Sequence, residues 1–94
     1  MSKYITTDRQ KEIVAKIKKE YDVVRIEVKA SYIHNFITMF AINSRVGCIG
    51  VADICELGKE PTEQQVDNAL KVLEKYIESH NYKEKIKEQY EEIL

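Results

Sequence analysis

Four side chains in the middle of the chain belong to the types that enzymes use as nucleophile, acid or base: Ser31, His34, Cys48 and Asp53. A catalytic nucleophile needs a base within hydrogen-bonding reach, and known catalytic frames hold the pair with a recognisable local motif. No such motif surrounds Ser31 or Cys48. A small hydrolase-like enzyme, with His34 and Asp53 as acid or base, is one hypothesis, but the sequence favours a protein that is not an enzyme.

The residue types that bind metals and phosphates are present but are not grouped. Tetrahedral zinc needs four converging ligands, usually as pairs at short spacing, whereas His34, Cys48, Cys55 and His80 are scattered along the chain. A phosphate-binding loop needs glycines followed by a helix start. The segment GCIG, residues 47–50, has two glycines but no Lys-Ser/Thr pair after them. We expect no metal and no cofactor.

The composition is that of a globular protein. A chain of 94 residues with 44% hydrophobic and 33% charged side chains can bury one modest core, so we expect a single domain, residues 1–94. Residues 1–50 carry nine Lys and Arg against five Asp and Glu, and residues 51–94 carry six against eleven. The sequence shows neither a signal peptide nor an apolar run long enough to cross a bilayer. We expect a cytoplasmic protein with free thiols and no membrane partner.

Two amphipathic helices are predicted by their start signals. Thr7 with Gln10, and Thr62 with Gln65, form capping-box patterns, in which the two side chains satisfy backbone donors at the helix start. Apolar residues then recur at spacings of three and four. They are Ile13, Val14, Ile17 and Tyr21 in the first helix, and Val66, Ala69, Leu70, Leu73 and Ile77 in the second.

The chain between these helices has the alternating pattern of strands. Val24, Ile26 and Val28 alternate with charged residues, so we expect them to face the first helix. FITMFAIN, residues 36–43, is a second strand, and NSRVG, residues 43–47, is a turn after it. We predict a third strand from Cys48 to Ile54, and a short helix ending at Gly58 stays open as an alternative for residues 48–57.

A last helix carries Tyr82, Ile86, Tyr90 and Ile93 and follows a break near residues 80–81, unless it continues the second helix. The predicted order is α-β-β-(β)-α-α. It gives an α+β fold in which amphipathic helices pack against a small antiparallel sheet of two or three strands.

Two resemblances concern nucleic acids. VADICELGKEPTEQQVDNALKVLEKY, residues 51–76, resembles a helix-turn-helix, which implies a first helix in VADICELG and a recognition helix from Thr62 onward. The order α-β-β-β-α is similar to the double-stranded-RNA-binding domain, whose last helix begins with lysines that hold phosphates. Glu63 and two glutamines occupy that start here, and carboxylates repel phosphates. A nucleic-acid-binding regulator is therefore our alternative, acting mostly through the lysines of the first helix, Lys11, Lys16, Lys18 and Lys19.

The strand FITMFAIN raises the question of its second face, because both of its faces are apolar. Helices that cover one face leave the other exposed, and contiguous apolar surface of this kind marks association sites. We assign to this surface five strand residues and three from the last helix: Ile37, Met39, Ala41, Ile49, Val51, Tyr82, Ile86 and Tyr90. In the alternative, the last helix covers this face within a monomer.

The function that the sequence favours is therefore a small non-catalytic binding or regulatory protein. We expect it to act as a homodimer or larger homo-oligomer and to bind another protein or a small ligand. A domain of this size fits a regulator, inhibitor or sequestering protein of the kind that phages and mobile elements encode. A pocket at the oligomer interface would be lined by polar residues that flank the central strand, namely Tyr32, His34, Asn35 and Arg45.

Overall fold

Two helices pack on one face of a three-stranded sheet in the computed structural model, which describes residues 4–80. The elements are α1 (Asp8–Tyr21), β1 (Val23–Ser31), β2 (Phe36–Asn43), β3 (Gly47–Glu56) and α2 (Glu63–Ser79). The predicted α+β class and third strand are confirmed, and the helical alternative for residues 48–57 is wrong. The predicted last helix, with Tyr82, Ile86, Tyr90 and Ile93, lies outside the described residues.

Both helices begin at the predicted capping boxes. The Thr7 hydroxyl accepts a hydrogen bond from the Gln10 backbone N–H (3.1 Å), and the Thr62 hydroxyl accepts one from the Gln65 N–H (3.1 Å). Each glutamine side chain accepts a hydrogen bond from the backbone N–H of its threonine in return. Asp22 ends α1 in a left-handed conformation, with φ 52°. Neither helix within residues 4–80 is long and apolar enough to cross a bilayer.

The sheet is antiparallel throughout, and β2 is its central strand. Met39 lies opposite Val28 of β1 and Ala52 of β3. Ala41, two residues further along β2, lies opposite Ile26 of β1. Residues that are directly opposite in an antiparallel pair share one face of the sheet. These five side chains therefore all point to the same side.

Both helices pack on that side of the sheet. Ile17 of α1 and Leu70, Leu73 and Ile77 of α2 are fully buried in one core with Met39. Helix α2 approaches the sheet closely at Gly50, where an added Cβ would lie 2.8 Å from Ile77 Cγ1 and 2.9 Å from Leu73 Cδ1. The described part of the chain is a two-layer structure with helices on one face.

Irregular pairing changes the direction of several strand residues. The register between β1 and β2 shifts between Val23 and Arg25, so Val24 is 51% exposed while Val23 is buried. This corrects the prediction that Val24 faces α1. In β3, the register shifts beside Ile49, because Ala41 pairs with Gly50 and Ile42 pairs with Cys48. A bulge of this kind puts an extra residue into one strand and redirects its side chains.

Asn43 joins the end of α1 to the turn between β2 and β3. Its buried side-chain amide donates hydrogen bonds to the backbone carbonyls of Tyr21 (2.7 Å) and Asp22 (3.2 Å). Its carbonyl oxygen accepts hydrogen bonds from the N–H groups of Arg45 (2.8 Å) and Val46 (3.0 Å). All of the hydrogen-bonding capacity of this buried amide is thereby used within the fold.

Candidate functional site

The face of the sheet opposite the helices, which we call the outer face, has an apolar centre. Neighbouring residues of a strand point to opposite sides, so the residues that alternate with Met39 and Ala41 point away from the helices. In β2 these are Phe36, Thr38, Phe40 and Ile42. No helix within residues 4–80 packs on this side, because both lie on the other.

The third strand widens this apolar centre. Val51 lies directly opposite Phe40 and is 37% exposed, and Cys48 lies opposite Ile42 and is exposed. Thr38 interrupts the apolar row, but its hydroxyl donates a hydrogen bond to Asp53 (3.0 Å). We call the side chains of Phe36, Phe40, Ile42 and Val51 the apolar stripe.

The edge of the outer face along β1 is charged. Arg25, Glu27 and Lys29 lie opposite Ile42, Phe40 and Thr38 and therefore share the outer face. The Glu27 carboxylate contacts Arg25 Nε (2.6 Å) and Lys29 Nζ (3.1 Å). Hydrogen bonds from Arg25 and then Lys29 hold the pKa of Glu27 below its usual range, so the carboxylate is charged near neutral pH.

The opposite edge, along β3, is acidic. Asp53 lies opposite Thr38, and Glu56 lies opposite Phe36. Both are exposed, and Glu56 also contacts Lys59 Nζ at 3.7 Å in the turn that follows. The outer face thus has an apolar centre, a mixed edge with two cations and one anion, and an edge with two anions. An apolar centre bounded by charge is typical of a protein interface.

The assignment of strand residues to the association surface is largely wrong. Met39, Ala41 and Ile49 are fully buried beneath the helices, and Ile37 is half-buried against the same core. Of the five predicted strand residues, only Val51 lies on the outer face. The physical reason is register, because the pairing across the β1–β2 turn puts Met39 and Ala41 beside the apolar residues of β1.

Sequence reasoning missed three of the four residues that form the apolar stripe, since it assigned Ile37, Met39 and Ala41 of this strand to the association surface and not Phe36, Phe40 or Ile42. A usable signal lies in β1, where the charged residues must face water and any residue opposite them must share that face. The register that connects Glu27 with Phe40 has to be known before this signal can be used.

The four predicted ligand-binding residues are not brought together within one chain. Tyr32, His34 and Asn35 lie in the turn between β1 and β2, and Asn35 has a left-handed φ of 60°. Arg45 lies in the turn between β2 and β3, at the other end of the central strand. The first turn is notable for apolar exposure, with Tyr32 82% exposed and Ile33 92% exposed.

The residues considered for catalysis and metal binding lie apart. His34 is exposed in the β1–β2 turn, while Asp53 accepts its hydrogen bond from Thr38 on the outer face. Within residues 4–80, no three His, Cys, Asp or Glu side chains converge as a metal site would require. Both cysteines are free thiols, as predicted. Cys55 is buried, and this burial raises the pKa of its thiol.

The helix-turn-helix prediction is wrong in its first helix. VADICELG is the second half of β3 and the turn after it, so a strand and a turn stand where the motif requires a helix before α2. The order α-β-β-β-α of the described elements is the one that the resemblance to the double-stranded-RNA-binding domain implies.

Comparisons of the chain with models of protein families, with curated proteins and with solved structures found no significant match.

Proposed function

We propose that this protein is a small non-catalytic binding protein that associates with a second copy of itself through the outer face of its sheet. The observation that carries the proposal is the apolar stripe, which two charged edges border. Helices cover one face of this sheet, and no other element within residues 4–80 packs on the opposite face. An apolar centre on that surface supports burial against a partner, because removing it from water is favourable.

A homodimer is the simplest assembly of this kind. A two-fold axis brings the same patch of both subunits together, so each apolar stripe covers the other. Two sheets that pack face to face form a sandwich with side chains from both inner faces in one shared core about 10 Å thick. Regulation or sequestration of a further protein or small ligand would then use the surfaces that the dimer leaves exposed, such as the β1–β2 turns.

The mass in solution tests this proposal. We expect light scattering or sedimentation of the full chain to give twice the monomer mass of 11.0 kDa at high concentration, with dissociation on dilution. A monomer at every accessible concentration would contradict the proposal.

The variant Phe40→Lys tests which surface is used. Lysine at position 40 would lie opposite Glu27 on the same face, so an ion pair within the chain favours folding of the monomer. In the dimer, the same charge would enter an apolar core. Loss of a central aromatic anchor typically costs about 2 kcal/mol or more, so we expect the dissociation constant to rise at least about thirtyfold.

Val72→Lys is the matched control for Phe40→Lys. Val72 is 52% exposed on α2, which lies on the other side of the sheet, so this variant makes the same kind of change away from the outer face. We expect it to leave dimerisation unchanged. If both variants weakened association equally, the outer face would not be the interface.

Binding of nucleic acid is the second candidate, and the order of elements favours it. Four lysines of α1 supply positive charge, although Glu63 and Asp67 make the first turns of α2 acidic. A nucleic-acid-binding protein would be retained on heparin at low salt, and its retention would fall steeply as salt rises. Passage through heparin at low salt, combined with a dimeric mass, would favour association over nucleic-acid binding.

A further inference from the structure

The charges of the outer face are ordered in rows across the sheet as well as along its edges. Lys29, Thr38 and Asp53 lie opposite one another on β1, β2 and β3 and form one such row. The row therefore has a cation at one end and an anion at the other. Lys29 is largely exposed at 65%, and Asp53 is also exposed.

We propose that the two-fold axis of the dimer runs along β2, so that Lys29 of each subunit lies across from the partner's Asp53. This inference rests on the proposed dimerisation through the outer face and specifies its geometry. A rotation by 180° about an axis parallel to the strands places β1 over the partner's β3. It leaves every row at the same position along the strands. The cationic end of the Lys29 row then faces the anionic end of the same row in the partner, at both edges of the interface.

An axis across the strands gives the opposite result. It would place β1 over the partner's β1 and β3 over the partner's β3. The acidic edges, each with Asp53 and Glu56, would then face each other, and like charges at an interface disfavour association. Both axes bury the same apolar stripe, so the charges select between them.

Charge reversal at Lys29 and Asp53 tests this pairing in the full chain. In the proposed dimer, Lys29→Asp sets two carboxylates against each other at each edge, and Asp53→Lys sets two ammonium groups together. We expect each single variant to raise the dissociation constant about tenfold or more. The double variant K29D/D53K restores opposite charges, so we expect its dissociation constant to return to within a few fold of the original.

Arg25→Asp is the matched control for Lys29→Asp. It makes the same charge change on the same strand and removes the same kind of ion pair with Glu27. The row of Arg25 ends at Cys48 and contains no acidic residue, so we expect a smaller effect on association. An effect as large as that of Lys29→Asp would contradict the proposed pairing.

A distance measurement tests the axis independently of charge. An axis along β2 places both β1–β2 turns at the same end of the dimer, whereas an axis across the strands places them at opposite ends. Spin labels at position 33, in the variant C48S/I33C, would probe this, because Ile33 is 92% exposed and the remaining Cys55 is buried. We expect a separation of roughly 10–20 Å, against roughly 35 Å for the other axis.

The outcomes separate this inference from the proposed function. A monomeric wild-type protein would overturn both. If Phe40→Lys disrupts the dimer, two results would overturn only the axis. One is that K29D/D53K dimerises no better than the single variants, and the other is that Lys29→Asp strengthens dimerisation. Short distances between the spin labels together with rescue by the double variant would support the axis along β2.

Discussion

The two glutamines that complete the capping boxes have identical local roles and different surroundings. Gln65 receives its hydrogen bond at the exposed start of α2. Gln10 is fully buried, and its side-chain NH₂ also donates to Asp67 Oδ1 (2.8 Å) and the Glu63 carbonyl (3.3 Å). Gln10 therefore both caps α1 and attaches it to the first two turns of α2.

This difference predicts unequal costs for the same substitution. Gln10→Met removes the buried acceptor of the Thr6 and Thr7 N–H groups and the donor to Asp67. These hydrogen bonds are partly buried, and each group left without a partner there costs about 1 kcal/mol or more, so we expect the free energy of unfolding to fall by about 2 kcal/mol.

Gln65→Met is the control, because water can replace its exposed hydrogen bond, and we expect a loss of about 1 kcal/mol or less. Urea denaturation would measure both, in the Phe40→Lys background so that association does not contribute to stability. Equal costs would show that Gln10 acts only as a cap.

At the scale of residues, the sequence predicts local hydrogen bonds well and tertiary ones poorly. The spacing of Thr7 and Gln10 is sufficient to indicate the capping box, because all of its partners lie within four positions. The contact of Gln10 with Asp67 spans 57 positions, and nothing in the local pattern indicates it.

At the scale of elements, the packing of α2 on β3 depends on the missing side chain of Gly50. The position that a Cβ would take is 2.8 Å from Ile77 Cγ1, which is closer than atoms can pack without displacement. Leu73 and Ile77 are fully buried, and protein cores are densely packed, so a shift of either side chain disturbs its neighbours in the core.

Gly50→Ala should therefore destabilise the fold even though alanine suits a strand better than glycine does. Overpacking of a core costs about 1–3 kcal/mol, and we expect a decrease in unfolding free energy within that range. Leu73→Ala alone creates a cavity and costs about 2–5 kcal/mol.

The double variant G50A/L73A tests the mechanism, because the added methyl group would occupy part of the space that Leu73 leaves. We expect a cost smaller than the sum of the two single variants. Additive costs in urea denaturation would indicate that Gly50 and Leu73 do not compete for the same space.

The sequence predicts the type and order of the elements but not their register. Both helices and all three strands are indicated by capping boxes and periodicity, which are local properties. The side of the sheet to which Met39 or Phe40 points depends on how β1 pairs with β2, and FITMFAIN is apolar on both sides. A shift of one residue exchanges the two faces, so the identity of the outer face had to come from the structure.

At the scale of the whole molecule, the central claim is that a second copy covers the outer face. Three arrangements are physically distinct: the face is free, residues 81–94 of the same chain cover it, or a second chain covers it. Cys48 distinguishes them, because it is exposed on the outer face within the chain and lies next to the apolar stripe.

The most direct measurement is the rate at which iodoacetamide alkylates Cys48 as a function of protein concentration, followed by mass spectrometry. Cys55 is an internal control, because its burial and raised thiol pKa keep it slow to react at every concentration. If the outer face is the dimer interface, Cys48 reacts fast in dilute protein and progressively more slowly as concentration rises, and Phe40→Lys abolishes the slowing. A rate for Cys48 that is the same at all concentrations, whether fast or slow, would contradict association through this face.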